Sequence, residues 1–172
     1  CETTDLKTGD SLVVNANARA QAILSEDFIA TNKTRNEGED NVILSITNPN
    51  IEIIDVSEAK GNQGFAVFPA SDSLNIKGSD MQDNVFLEDY DIYEGDIDLG
   101  DSLDYLSIFD PSQNFSLEFL NDSKLKNVEQ INVLKNSQNP NNINGVSLNL
   151  NNQTENININ SSDGDDEIFS GI

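Results

Sequence analysis

The chain has 172 residues, 36% of them hydrophobic and 6% aromatic, which suits one domain or two small ones with a modest core. No apolar run approaches the roughly 20 residues that span a bilayer. Nine basic residues face 31 acidic ones for a net charge of −22, which argues against nucleic acid and anionic membrane surfaces as partners, because both need clustered Lys and Arg.

Three further features of the composition narrow the chemistry. With no His in the chain, Ser-His-Asp catalysis and His-based zinc sites fall away. With no Trp, the strongest aromatic anchor for a sugar is missing. One Cys allows no internal disulfide, so another staple is expected, and bound metal suits an acidic chain.

Strand signals dominate from the start: short β-branched segments bounded by turn residues. Ser11–Val14 is the first. The Ala-rich segment 16–28 follows, and it reads as either a helix of two or three turns or a long loop. Next come Asn41–Ile46 and Ile51–Val56, then Phe65 and Phe68 flanking Ala66-Val67, which read as core. Asn84–Leu87, Tyr105–Ile108, a short helical turn at Ser123–Asn127, Glu129–Leu134, Val146–Leu150 and Ile157–Asn160 complete the series. In Leu148-Asn149-Leu150 and Ile157-Asn158-Ile159-Asn160 apolar and polar residues alternate, which puts one face inside and one in solvent. Asn, Asp, Gly and Ser fill the gaps and supply turn conformations.

One short unit recurs: an acidic residue, any residue, then an apolar one. Copies are Asp10-Ser11-Leu12, Asp83-Asn84-Val85, Asp104-Tyr105-Leu106, Glu129-Gln130-Ile131 and Glu155-Asn156-Ile157. Gly38–Val42 and Gly164–Ile168 carry it behind a leading Gly. In the second half the copies fall about 20–30 residues apart, the range of solenoid coils. Each coil would turn at the acidic residue and send the following apolar residue into the core. The expected fold is all-β: a parallel β-solenoid or β-roll with irregular loops. Residues 1–74 form an irregular β-rich portion with room for the short helix, and 75–172 form the solenoid portion.

The segment Gly145–Gly171 resembles the lead-in to RTX calcium-binding repeats, a family whose nonapeptide builds a calcium-binding parallel β-helix. Ser161–Phe169 keeps the Gly, Asp and apolar positions of that nonapeptide, with Ser161-Ser162 in place of its leading Gly-Gly. Leu99–Ser107 keeps one Gly, the Asp and the Leu, and Leu125–Val133 is similar to strands that connect such repeats. The resemblance implies a type I secreted bacterial protein, such as a surface-layer protein or adhesin, and it implies Ca2+. Ser170-Gly171-Ile172 reads as the beginning of a further repeat, so the chain is expected to be a fragment of a longer one. Cys1 then has two readings, the incidental end of that fragment or the lipid anchor of a surface protein.

The densest run of carboxylates lies between Glu88 and Asp110. Calcium takes six to eight oxygen ligands in flexible geometry. Alternation in Asp96-Ile97-Asp98-Leu99 sets two carboxylates on one strand face, and Gly95 and Gly100 permit turns that bring in carbonyls. Asp91, Asp96, Asp98, Asp101 and Asp104 are therefore candidate calcium ligands. Asp163, Asp165 and Asp166 around Gly164 form a second candidate group. The expected Kd is on the order of 10⁻⁴–10⁻³ M, as in extracellular modules. The competing reading is a solvated acidic face. Tyr90, Tyr93 and Tyr105 share this segment, where they read as strand packing with the hydroxyl at the surface.

The expected function is structural rather than enzymatic: a calcium-dependent segment of a surface layer, filament or adhesin that folds and assembles outside the cell. Calcium that binds only the native state stabilises it by mass action. Open solenoid ends suit self-assembly with identical subunits or adjoining domains, with cell-surface polysaccharide as a further partner. The alternative is a carbohydrate-binding or polysaccharide-modifying β-helix, whose paired carboxylates would act on a glycosidic bond.

Overall fold

The computed structural model describes residues 6–7, 11–14, 20–23, 29–31, 42–46, 49, 51–61, 64–87, 92–109, 111–112, 115–134, 144–161 and 163–170. These residues form an all-β structure of parallel sheets. The longest sheet has seven strands: Ser11–Val14, Val42–Ile46, Phe65–Phe68, Asn84–Leu87, Tyr105–Phe109, Gln130–Leu134 and Asn158–Asn160. A five-stranded sheet joins Ala20–Ile23, Ile51–Asp55, Asn75–Lys77, Ile97–Asp98 and Leu125–Lys126. A four-stranded sheet holds Ile92–Tyr93, Phe115–Phe119, Val146–Leu150 and Glu167–Ser170, and a three-stranded one holds Leu6–Lys7, Ile29–Thr31 and Lys60–Gly61.

In every sheet the strands stack in chain order. Each new strand pairs in parallel with the one the chain left there one circuit earlier, 18 residues back from Asn84 to Ala66 and 28 back from Asn158 to Gln130. The register aligns like residues into columns. Leu44, Val67, Val85, Leu106, Ile131 and Ile159 are successive partners in the long sheet. Ile54, Ile76, Ile97 and Leu125 are successive partners in the five-stranded one. All are buried except Ile159, which is half-buried. A one-residue slip would send each column outward and bring its polar neighbours in, so the columns hold the register.

The expected strands are present, with their limits moved by a residue or two. Glu167–Ser170 and Phe115–Phe119 are strands that the alternation did not single out. The reading of 16–28 as a helix or a long loop is corrected at its centre. Ala20–Ile23 is a strand paired in parallel with Ile51–Asp55, and the remainder of that segment lies outside the described residues. Helix propensity is worth less than about 1 kcal/mol per residue, and pairing to an existing strand overrides it. The turn expected at Ser123–Asn127 is a 3₁₀ turn over Asp122–Lys124, which runs straight into Leu125–Lys126. Asn121 caps it by accepting the Ser123 N–H at 3.0 Å. Phe65 is core, as expected, whereas Phe68 is half-buried and stacks on Phe86 with ring centroids 4.6 Å apart.

Leu106 sits in the middle of the longest column with no solvent exposure, between Val85 and Ile131. Replacement by Ala is expected to lower the unfolding free energy by about 2–5 kcal/mol. Urea denaturation monitored by far-ultraviolet circular dichroism checks this.

Candidate functional site

Three acidic residues of the recurring unit, Asp83, Asp104 and Glu129, stand where the chain enters the long sheet, whereas Glu155 lies out of that register and the copy at Gly164–Ile168 leads into the four-stranded sheet. Asn84, Tyr105 and Gln130 are register partners, so Asp83, Asp104 and Glu129 occupy equivalent positions just before them. An N–H at such an entry precedes the ladder and needs an acceptor. Each carboxylate reaches back one strand to supply it. Asp83 Oδ1 accepts the Phe65 N–H at 2.7 Å, Asp104 Oδ1 accepts the Asp83 N–H at 2.6 Å, and Glu129 Oε2 accepts the Asp104 N–H at 2.8 Å. Their backbone carbonyls face forward and accept from Tyr105, Gln130 and Asn158 N–H groups at 3.0, 3.2 and 2.8 Å. The unit thus divides its labour: the acid caps the previous strand, the middle residue lies partly exposed, and the apolar residue joins the core column.

Carboxylates elsewhere cap in the same way. Asp166 accepts the Val146 N–H at 2.9 Å, and Glu155 accepts the Asn127 N–H through both oxygens at 2.9 and 3.2 Å. Asn127 adopts a positive φ of 53°, which Asn tolerates better than most residues. Asp122 Oδ1 accepts the Thr154 N–H at 2.9 Å.

Burial gives the long-sheet column its electrostatics. Asp83 is pushed up to about 6, first by loss of hydration and least by the nearby charge of Asp80. Its Oδ2 accepts the Ser79 N–H at 2.6 Å, and the Ser79 hydroxyl lies 3.0 Å away. These bonds and the Phe65 N–H pull the value back down. Asp104 is pushed up to about 7 by burial, then by the like charges of Asp83 and Glu129, against the downward pull of the Asp83 and Ser102 N–H groups.

The candidate calcium ligands sit in different settings. Asp96 is exposed, with Oδ1 2.8 Å from Lys124 Nζ. Asp98 is half-buried and accepts from Asn127 Nδ2 at 2.6 Å. Asp101 is exposed, and Asp104 is buried in the capping column. Asp163 and Asp165 are exposed, Asp166 is half-buried, and Asp91 lies outside the described residues. A calcium site needs several charged oxygens converging on one point. Here Asp96 faces an ammonium, and Asp98, Asp104 and Asp166 each accept an N–H. Among the described residues no group of three or more acidic or thiol side chains could hold a metal ion.

The glycines of the acidic segment serve close approach and turning. A Cβ on Gly95 would collide with the Leu74 carbonyl oxygen, and Gly100 has a φ of 91°, which side-chain-bearing residues seldom adopt. Tyr93 departs from its expected place: it is fully buried, and its hydroxyl donates to the Leu74 carbonyl at 2.7 Å rather than reaching the surface. Tyr105 is half-buried, and Tyr90 lies outside the described residues.

The spacing of the recurring unit already held Asp83 and Glu129, and their identical place in it was the signal that they act together. Ser79 carried no such signal, because it meets Asp83 only through the turn between them. No protein-family model, curated protein or solved structure matches the chain.

Asp83→Ala would leave the buried Phe65 and Ser79 N–H groups without their acceptor. It is expected to cost about 1–3 kcal/mol and to speed hydrogen exchange at the Phe65 amide. Asp101→Ala is expected to change stability by no more than about 0.5 kcal/mol. Urea titration and amide exchange by nuclear magnetic resonance compare the two.

Proposed function

We propose that this chain is a non-catalytic structural module, a parallel β-solenoid segment of a secreted bacterial cell-surface protein. The observation that carries this reading is the unbroken register of the long sheet, in which six successive strands from Val42–Ile46 to Asn158–Asn160 set one aliphatic residue each into a single column. The described side chains with unusual electrostatics serve that stacking by capping strands. The secreted setting rests on the resemblance of Ser161–Phe169 to an RTX nonapeptide and on the net charge of −22.

Calcium enters this reading as a counter-ion. A surface this acidic attracts divalent cations and is stabilised by their screening. The engaged carboxylates favour this diffuse action over a defined cage. Thermal melts in CaCl2, MgCl2 and NaCl at matched ionic strength test it. Calcium and magnesium are expected to raise Tm by similar amounts over millimolar concentrations. A rise specific to calcium below about 0.1 mM would establish a defined site instead.

Self-assembly is part of the same proposal, and two exposed apolar residues support it. Ile168 continues the column Leu117–Leu148, whose members are buried, yet is itself 41% exposed, and Phe169 beside it is 47% exposed. Two adjacent exposed apolar residues suit contact with a further apolar surface, supplied by an identical subunit or an adjoining domain. Sedimentation analysis is expected to show concentration-dependent association that Ile168→Lys abolishes without changing the circular dichroism spectrum.

A further inference from the structure

The capping column contains one group whose bonding is incomplete. Asp104 has no solvent exposure, its Oδ1 accepts the Asp83 N–H, and its Oδ2 has no hydrogen-bond partner. An ionised carboxylate with one oxygen buried and bare lacks what water would have supplied. A proton on that oxygen removes the charge and most of the penalty. The groups stacked on either side make ionisation harder still. Asp83 lies on one side and Glu129 on the other, each joined to Asp104 by a backbone bond, and Asp80 adds a further negative charge beside Asp83. Ser79 and Ser102 contribute neutral donors only. The ion pairs Lys77–Asp55 and Lys124–Asp96 lie in the five-stranded sheet and its neighbouring turns. Among the described residues no ammonium is paired with the column.

We propose that Asp83, Asp104 and Glu129 form a proton-operated latch, in which Asp104 holds a proton between stacked strands of the long sheet and releases it to loosen them. The proposal stands apart from the surface-protein reading, since it concerns three strands and needs neither a partner nor calcium.

Direction follows from linkage. Both folded-state values, about 6 for Asp83 and about 7 for Asp104, lie above the ordinary 3.8. Between the unfolded and folded values the native state binds more protons than the unfolded chain. Stability therefore falls as pH rises through that window and is lowest above pH 7, and each pH unit changes the unfolding constant by up to about tenfold per group. Acidification also neutralises the overall negative charge, so a control of equal charge is needed. Asp101 is exposed and lies three residues from Asp104.

The experiment compares urea unfolding of the unmodified protein, Asp104→Asn and Asp101→Asn from pH 5 to pH 8. Asn at 104 keeps an oxygen for the Asp83 N–H and carries no charge. The unmodified protein and Asp101→Asn are expected to lose stability in parallel as pH rises, whereas the unfolding constant of Asp104→Asn rises at least tenfold less over the same range. Equal slopes for the two variants would overturn the latch. A measurement on the unmodified protein guards against misfolding of the variant: the carbon-13 shift of the Asp104 carboxyl is expected to titrate near pH 7, and a midpoint below about 5 would equally overturn it.

Discussion

Parallel stacking places one demand on this chain that recurs along the long sheet: the amide that leads into a strand must find an acceptor before the ladder begins. Water cannot supply it where the turn is buried, and an unmet N–H there costs about 1–3 kcal/mol. The chain meets the demand with a carboxylate from the strand above, as in Asp83 to Phe65, Asp104 to Asp83 and Glu129 to Asp104. A charged acceptor forms a stronger and shorter bond than a neutral one. The same choice draws three acidic groups into line at successive strand entries, two of them buried.

The tension between capping and charge explains why the acids differ so much in behaviour. Where the turn is open, as at Glu155 and Asp122, the carboxylate caps and remains hydrated. Where the turn is closed, as at Asp83 and Asp104, capping and desolvation oppose each other, and burial wins. Asp83 has several donors and is shifted less; Asp104 has a bare oxygen and is shifted more. The order of the two follows from the donors around each and from the like charges of Asp83 and Glu129 beside Asp104.

Capping also bears on metal binding. A lone pair that accepts an amide is engaged in that bond and is not free to face a cation. Asp96 illustrates a second route to the same result, since Lys124 Nζ binds both its Oδ1 and the Glu94 carbonyl at 2.8 Å. A dense acidic sequence can therefore fold into a surface in which many of the described carboxylates have a local duty of their own. Cations then act on the sum of the charges.

The sequence by itself determined the class of structure. Short β-branched segments, period-two alternation and an acidic-x-apolar unit every 20–30 residues or so allow little but stacked strands, because apolar residues at that spacing can be buried only by repeating the same turn. Val85, Leu106 and Ile131 were legible as core for that reason. The tertiary structure decided what the acids do. In sequence, Asp104 had two memberships, the carboxylate run with Asp96, Asp98 and Asp101 and the recurring unit with Asp83 and Glu129; in space it belongs with Asp83 and Glu129, because partners in a parallel stack lie 21 to 25 residues apart here. The Ala-rich segment was settled the same way at Ala20–Ile23, where the waiting edge of Ile51–Asp55 outweighed a local preference for helix. Strand register is a long-range property, and the identity of a carboxylate's partner depends on it entirely.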